Sequence, residues 1–183
     1  MKKIEKDIPV ILNLFNTAKF DLAISKLKRL IRDYPEYIIL YNLLGSAYQN
    51  TGNYNLAKNI FIKGNKMEPD NIAIMNNLAN LYKNNGEIEL SEELFKKIIH
   101  KKPNYINAYV NLGNLKRDCN NFEAAIDLYT EALNINDKIP VIFYSLALAY
   151  QGLGKFKLAI EYAEKALILD PKFTQADLLI SQS

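Results

Sequence analysis

The chain predicts an all-α fold, a solenoid of antiparallel helix pairs in five 34-residue repeats followed by a partial C-terminal helix. Three observations predict it. Prolines at 35, 69, 103 and 171, with Asp137 in the remaining place, recur every 34 residues without one insertion. Between them apolar residues fall three or four apart, as along Tyr41, Leu44 and Tyr48 and then Tyr54, Ala57 and Phe61, the spacing of one helical face. Midway through four of the five repeats stands a residue that tolerates the left-handed backbone of a helix-closing turn: Gly52, Gly86, Asn120 and Gly154. A fixed period with two helices per unit is the mark of stacked repeats.

Numbered from place 1 to place 34, the repeats cover residues 4–37, 38–71, 72–105, 106–139 and 140–173. Within each, a first helix ends at the turn of place 15 and a second stops at the proline, which cannot continue it. Small residues at place 8 (Gly45, Ala79, Gly113, Ala147) and place 20 (Ala23, Ala57, Ser91, Ala125, Ala159) let paired helices approach closely. Rings at place 11 (Tyr48, Tyr82, Tyr150), place 17 (Phe20, Tyr54, Phe122, Phe156) and place 24 (Phe61, Phe95, Tyr129) fill the space between neighbours, each burying about 150–250 Å².

Two repeats depart from the pattern. The first carries Pro9 and Ile11, which predicts an atypical N-terminal cap whose first helix begins late or is bent. The fourth has Lys116, Asn120 and Asp137 in place of ring, glycine and proline, which predicts the loosest packing. Residues 174–183 open a further first helix, where Ala176, Leu179 and Ile180 would cover the end of repeat five. We expect one repeat domain over 1–183, its last ten residues a capping helix or, the favoured reading, a cut-off one belonging to a longer protein.

The pattern resembles the tetratricopeptide repeat family. Its skeleton reads Tyr41, Leu44, Gly45, Tyr48, Gly52, Tyr54, Ala57, Phe61 and Pro69, and again Phe143, Leu146, Ala147, Tyr150, Gly154, Phe156, Ala159, Ala166 and Pro171. The resemblance covers residues 4–173 and implies a right-handed solenoid whose first helices line a concave wall.

Composition narrows the function. Hydrophobic residues at 49% and charged residues at 23% describe a globular chain rather than a disordered one. A net charge of +3 predicts neither a nucleic-acid nor a membrane partner, and no apolar run is long enough to span a bilayer. A single cysteine, Cys119, excludes an internal disulfide framework and fits a reducing, cytoplasmic setting; it is expected to be packed or inert. The lone histidine, His100, near a second-helix end, supports neither a histidine metal cluster nor a catalytic triad. GLGK at 152–155 lacks phosphate-loop spacing. We expect no enzyme activity in this chain, no metal and no cofactor.

What remains is a surface. Places 2, 5, 6, 9, 12 and 13 are those that the family turns to its concave wall. Asn77 with Asn80, and Asn111 with Asn114, form i, i+3 pairs at places 6 and 9, with Asn76 and Asn107 beside them. An amide offers two donors and one acceptor, which suits the main chain of an extended peptide. Lys83 and Arg117 at place 12 add positive charge. A similar asparagine ladder lines the repeat arm of O-linked N-acetylglucosamine transferases. No lysine occupies place 5, so no carboxylate clamp for chaperone tails is expected. The expected function is a scaffold or interaction module that binds an extended peptide with micromolar affinity. The alternative is the substrate-recruiting arm of a larger glycosyl- or sulfo-transferase. Weak self-association through an apolar C-terminal end is a further expectation.

Overall fold

A computed structural model describes residues 3–182, and every described element is a helix. In order they are α1 (Lys3–Asn16), α2 (Phe20–Asp33), α3 (Ile38–Asn50), α4 (Tyr54–Met67), α5 (Ile72–Asn84), α6 (Ile88–Lys101), α7 (Ile106–Asp118), α8 (Phe122–Ile135), α9 (Pro140–Gly152), α10 (Phe156–Leu169) and α11 (Thr174–Gln182). The chain divides into two compact units, Met1–Glu87 and Ile88–Ser183. Each follows one rule: helices adjacent in sequence pack on one another, and consecutive first helices also touch, α3 on α5 in the first unit and α7 on α9 in the second. This is the repeat solenoid that the period predicts.

Every first helix closes in the same way. At place 15 the backbone is left-handed, with φ of 53° at Ala18, 73° at Gly52, 77° at Gly86, 58° at Asn120 and 69° at Gly154. The next residue's N–H then reaches back to the carbonyl of place 11: Lys19 to Leu14 at 2.8 Å, Asn53 to Tyr48 at 2.8 Å, Glu87 to Tyr82 at 2.9 Å, Asn121 to Lys116 at 2.9 Å and Lys155 to Tyr150 at 2.9 Å. This six-residue closure satisfies a carbonyl that the helix end would otherwise orphan. Ala18 performs it without being glycine, so its β-carbon sits in a strained region.

In the first unit, Ala23, Leu27, Leu30, Leu40, Tyr41, Ala57, Phe61, Ile74, Met75 and Leu81 are all within 2% of full burial. The small residue at place 8 is required by the ring at place 24: a β-carbon on Gly45 would fall within the Phe61 ring, and one on Gly113 within the Tyr129 ring of the second unit. Repeat one solves the same place differently, with Ile11 and Leu27, both fully buried. Repeat five has Ala147 and Ala163 there, fully buried, and moves its ring one place back to Tyr162, which stacks on Tyr150 at 5.1 Å between centroids. Gly64, inside α4, is similarly pinned by the Ile74 side chain arriving from the next repeat.

Two expectations are corrected. The first helix does not begin late: α1 starts at Lys3 and runs unbroken through Pro9. Repeat four is not poorly packed. Leu112 is 3% exposed, and Leu115, Ala125, Tyr129 and Ala132 are fully buried. Asn120 adopts the turn conformation of glycine. Asn136 Oδ1 accepts the Lys138 N–H at 2.9 Å, the same Asx turn that Asp170 makes to the Lys172 N–H at 3.0 Å in repeat five, so the loop keeps its form without the proline. Pro140 stands in the first turn of α9. Lys116 Nζ meets Glu92 Oε1 at 2.7 Å.

The second unit ends on α11. Ala176 is fully buried and Leu179 is 5% exposed, both in a core with Ala147, Ala159, Ala163 and Ala166, and Ile180 packs at its edge. Among the described residues no helix is long and apolar enough to cross a membrane.

Candidate functional site

The first helices are apolar on one side and polar on the other, and the 3.6-residue period decides which side chain goes where. On α5, Ile74, Met75, Leu78, Ala79 and Leu81 are buried, which leaves Asn76, Asn77, Asn80 and Lys83 half-buried on the rest of the helix. The helix is set by Asn71, whose side chain caps the Ile74 N–H at 3.2 Å.

Asn77 Nδ2 donates to Asn42 Oδ1 of α3 at 2.8 Å, a bond between consecutive first helices. Asn80 Nδ2 donates to the Asn76 carbonyl at 3.0 Å and so lies back along its own helix. Lys83 and Asn76 each make a further interaction of their own. These four residues and Asn42 gather on one side of the first unit.

In the second unit α7 carries Asn107, which is exposed, and Asn111 and Asn114, which are half-buried. Asn114 faces inward in part: its Oδ1 accepts from the Tyr129 hydroxyl at 2.7 Å. Tyr129 is fully buried, and burial pushes its hydroxyl up to about 12. It stays protonated and remains a donor across the physiological range. Neighbouring Ser145, 4% exposed, donates to the Val141 carbonyl at 2.8 Å. Arg117 Nη2 lies 3.1 Å from Asp118 Oδ1, so part of its charge is offset locally. The sequence reading missed two participants. Asn42 was legible, since it stands at place 5 of a first helix. Tyr129 read only as a ring that fills space, and nothing in the linear pattern shows where its hydroxyl ends.

Gly154 is the turn residue of place 15, and His100 is exposed in the last turn of α6. Cys119 is exposed at the C-cap of α7, a correction to the packed alternative. No group of His, Cys, Asp or Glu that could hold a metal ion occurs among the described residues.

Helix pairs repeated in register, with a polar face along the first helices, define a helical-repeat protein. Models of the tetratricopeptide repeat match residues 38–71, 72–101 and 140–173, and a TPR repeat model matches 113–154. The chain belongs to the tetratricopeptide repeat family. Two matched segments coincide with the repeats bounded by Ile38 and Asn71 and by Pro140 and Phe173.

No curated protein matches the chain. Solved structures do. A crystal structure of MamA is 23% identical over 89% of this chain and 95% of its own, with a TM-score of 0.75. A MamA fragment from Desulfovibrio magneticus is 17% identical over 94% and 98%, with a TM-score of 0.79. A thermophilic TPR protein of Thermus thermophilus is 18% identical over 97% of each chain, also at 0.79. At these identities the likeness is one of fold.

Proposed function

We propose that this chain binds an extended segment of a partner protein on the polar face of its first helices, as a non-catalytic interaction module in a reducing, cytoplasmic setting. The observation that supports this reading is the Asn77–Asn42 hydrogen bond of 2.8 Å. It engages one N–H of the Asn77 amide and holds the group's orientation, while an amide has a second donor and a carbonyl oxygen to offer. A half-buried, oriented amide is a better main-chain partner than a free surface asparagine, because less side-chain freedom is lost on binding.

Each unit offers its own pair, Asn77 with Asn80 and Asn111 with Asn114, flanked by Asn76 and Asn107. Tyr129 holds Asn114 in the second unit as Asn42 holds Asn77 in the first. Lys83 and Arg117 favour an acidic segment, the charge of Arg117 being offset in part by Asp118. The test is affinity capture from a proteome with the parent chain beside the Asn77→Ala/Asn111→Ala variant. Partners lost from the variant support the amide face. Equal retention of every partner removes these amides from binding.

A further inference from the structure

The net charge of +3 conceals an uneven distribution over the second helices. α2 carries Lys26, Lys28, Arg29 and Arg32 against Asp21 and Asp33. α4 carries Lys58, Lys63 and Lys66 and no acidic residue. α8 is the reverse: Glu123, Asp127 and Glu131 stand on it without one basic residue. The reversal falls at place 26, where the other repeats have Arg29, Lys63, Lys97 and Lys165 and repeat four has Glu131. Both charged faces meet water. Leu22, Lys26 and Arg29 follow at i, i+4 and i+7, one line along α2, and all are exposed, Leu22 at 57%. Glu123, Asp127 and Glu131 follow at i, i+4 and i+8 along α8 and are exposed as well. Like charges four apart on a helix repel, and no cation on α8 relieves them. Among the described residues no ion pair takes up Lys26, Arg29, Asp127 or Glu131. Ala124 holds on α8 the place that Leu22 holds on α2, so the anionic face is small where the cationic face is large.

We propose that the outer face of α2 docks on the outer face of α8 of a second copy of this chain. The contact is an electrostatic self-association, on helices other than those that carry the polar side described above. Lys26 and Arg29, separated by a rise of about 4.5 Å, meet Asp127 and Glu131, separated by about 6 Å, a mismatch that long basic side chains absorb. A second copy is the occupant that answers both faces at once. An anionic lipid surface or an acidic polymer would match α2 and be repelled by α8. Because the two faces differ, the contact is heterologous, and every chain offers both halves of it. Exposed ion pairs are individually weak and are screened by salt, so the association depends on concentration and ionic strength.

The test is sedimentation of the full chain at about 200 μM, first in about 25 mM salt and then in about 0.5 M, where the Debye length shrinks to about 4 Å. The parent should sediment above the mass of one chain in low salt and as a monomer in high salt. Lys26→Glu/Arg29→Glu and, separately, Asp127→Lys/Glu131→Lys should each weaken association at least about tenfold, since each leaves both faces with one sign of charge. An equimolar mixture of the two variants should associate again, as should one chain carrying all four reversals. The four positions are exposed and lie outside the first and last turns, so the helix dipoles and the core are untouched and unfolding midpoints should stay close to the parent's. A parent that is monomeric in low salt, variants that associate as the parent does, or a mixture that stays monomeric would each overturn the pairing. Phosphatidylserine vesicles and poly-glutamate serve as anionic probes. A monomeric parent that binds either one, with the loss confined to the α2 reversal, would assign α2 to an anionic partner and not to a second copy.

Discussion

Lys116 Nζ of α7 lies 2.7 Å from Glu92 Oε1 of α6, and the two side chains are 22% and 23% exposed. Lys116 occupies place 11, where the neighbouring repeats carry a tyrosine, and Glu92 occupies place 21 of the repeat before. The same two places hold Lys58 and Tyr82 in the first unit, with Lys58 Nζ 5.1 Å from the Tyr82 ring centroid and 2.6 Å from Glu87 Oε2. They hold Ile126 and Tyr150 in the second unit, both packed on one apolar core. One inter-repeat junction is thus made three ways: by apolar packing, by a cation over a ring, and by an ion pair.

If the junction works as a matched pair, Lys116→Tyr together with Glu92→Lys should transplant the Lys58–Tyr82 solution. We expect the double variant to be more stable than either single one, with a coupling of about 0.5–1 kcal/mol. Denaturant unfolding of the four proteins measures it. Strict additivity would mean that the two places do not interact.

The same pair sets an acid limb. Hydrogen bonds from Lys116 and then Lys96 hold the Glu92 carboxyl below its usual value of 4.5. A lowered folded-state pKa contributes stability that is complete above the unfolded value and is lost as pH falls through the folded one. The parent should therefore lose its advantage over Glu92→Gln as pH drops below about 4.5 and keep it unchanged between pH 6 and 8. Unfolding midpoints of both proteins from pH 7 to pH 3 test this, and a constant gap throughout would refute it.

Ala18 holds a left-handed turn at φ 53° where three other repeats use glycine. Relief of about 1–2 kcal/mol of strain outweighs the extra unfolded-chain entropy of glycine, about 0.5–1 kcal/mol. Ala18→Gly should stabilise the chain by roughly 0.5–1 kcal/mol, and Gly154→Ala should destabilise it by a similar amount. Nothing lies within 4 Å of a β-carbon built on Gly154, so sterics with neighbours do not confuse the comparison.

Gly45 is a different case, since its β-carbon would collide with Phe61. Gly45→Ala should cost about 1–3 kcal/mol through overpacking. Adding Phe61→Leu should recover part of that loss, because repeat one already pairs Ile11 with Leu27 at these places. No recovery would show that the ring is needed for more than its volume.

For binding, Asn77→Ala with Asn111→Ala should weaken a captured partner by about 1–3 kcal/mol, measured by calorimetry. Each substitution also removes a side chain from a first helix, so unfolding midpoints within about 0.5 kcal/mol of the parent are required for the loss to be read as one of contact.

Much of this was legible in the residues. Pro69 ends α4's repeat, Gly52 closes α3, and the spacing of Tyr41, Leu44 and Tyr48 puts all three in the core. The candidate binding residues were legible as helix positions but not as partners. Asn77 and Asn114 share the same kind of side chain on equivalent faces, yet one is held by Asn42 and the other by Tyr129. Pro9 misled because a first-turn proline and an interior one look alike until the helix start is known. The fourth repeat is packed despite its substitutions because Lys116 finds Glu92 on the preceding repeat and Asn120 itself adopts the turn conformation of glycine.

The sequence by itself determined the helices, their turns and the repeat register, because all of these depend on residues within about one repeat and on the stereochemistry of glycine and proline. Only the tertiary structure decided what each exposed or half-buried side chain meets. Lys116 finds Glu92 from 24 positions away and Asn77 finds Asn42 from 35, through packing between helices that no local pattern encodes.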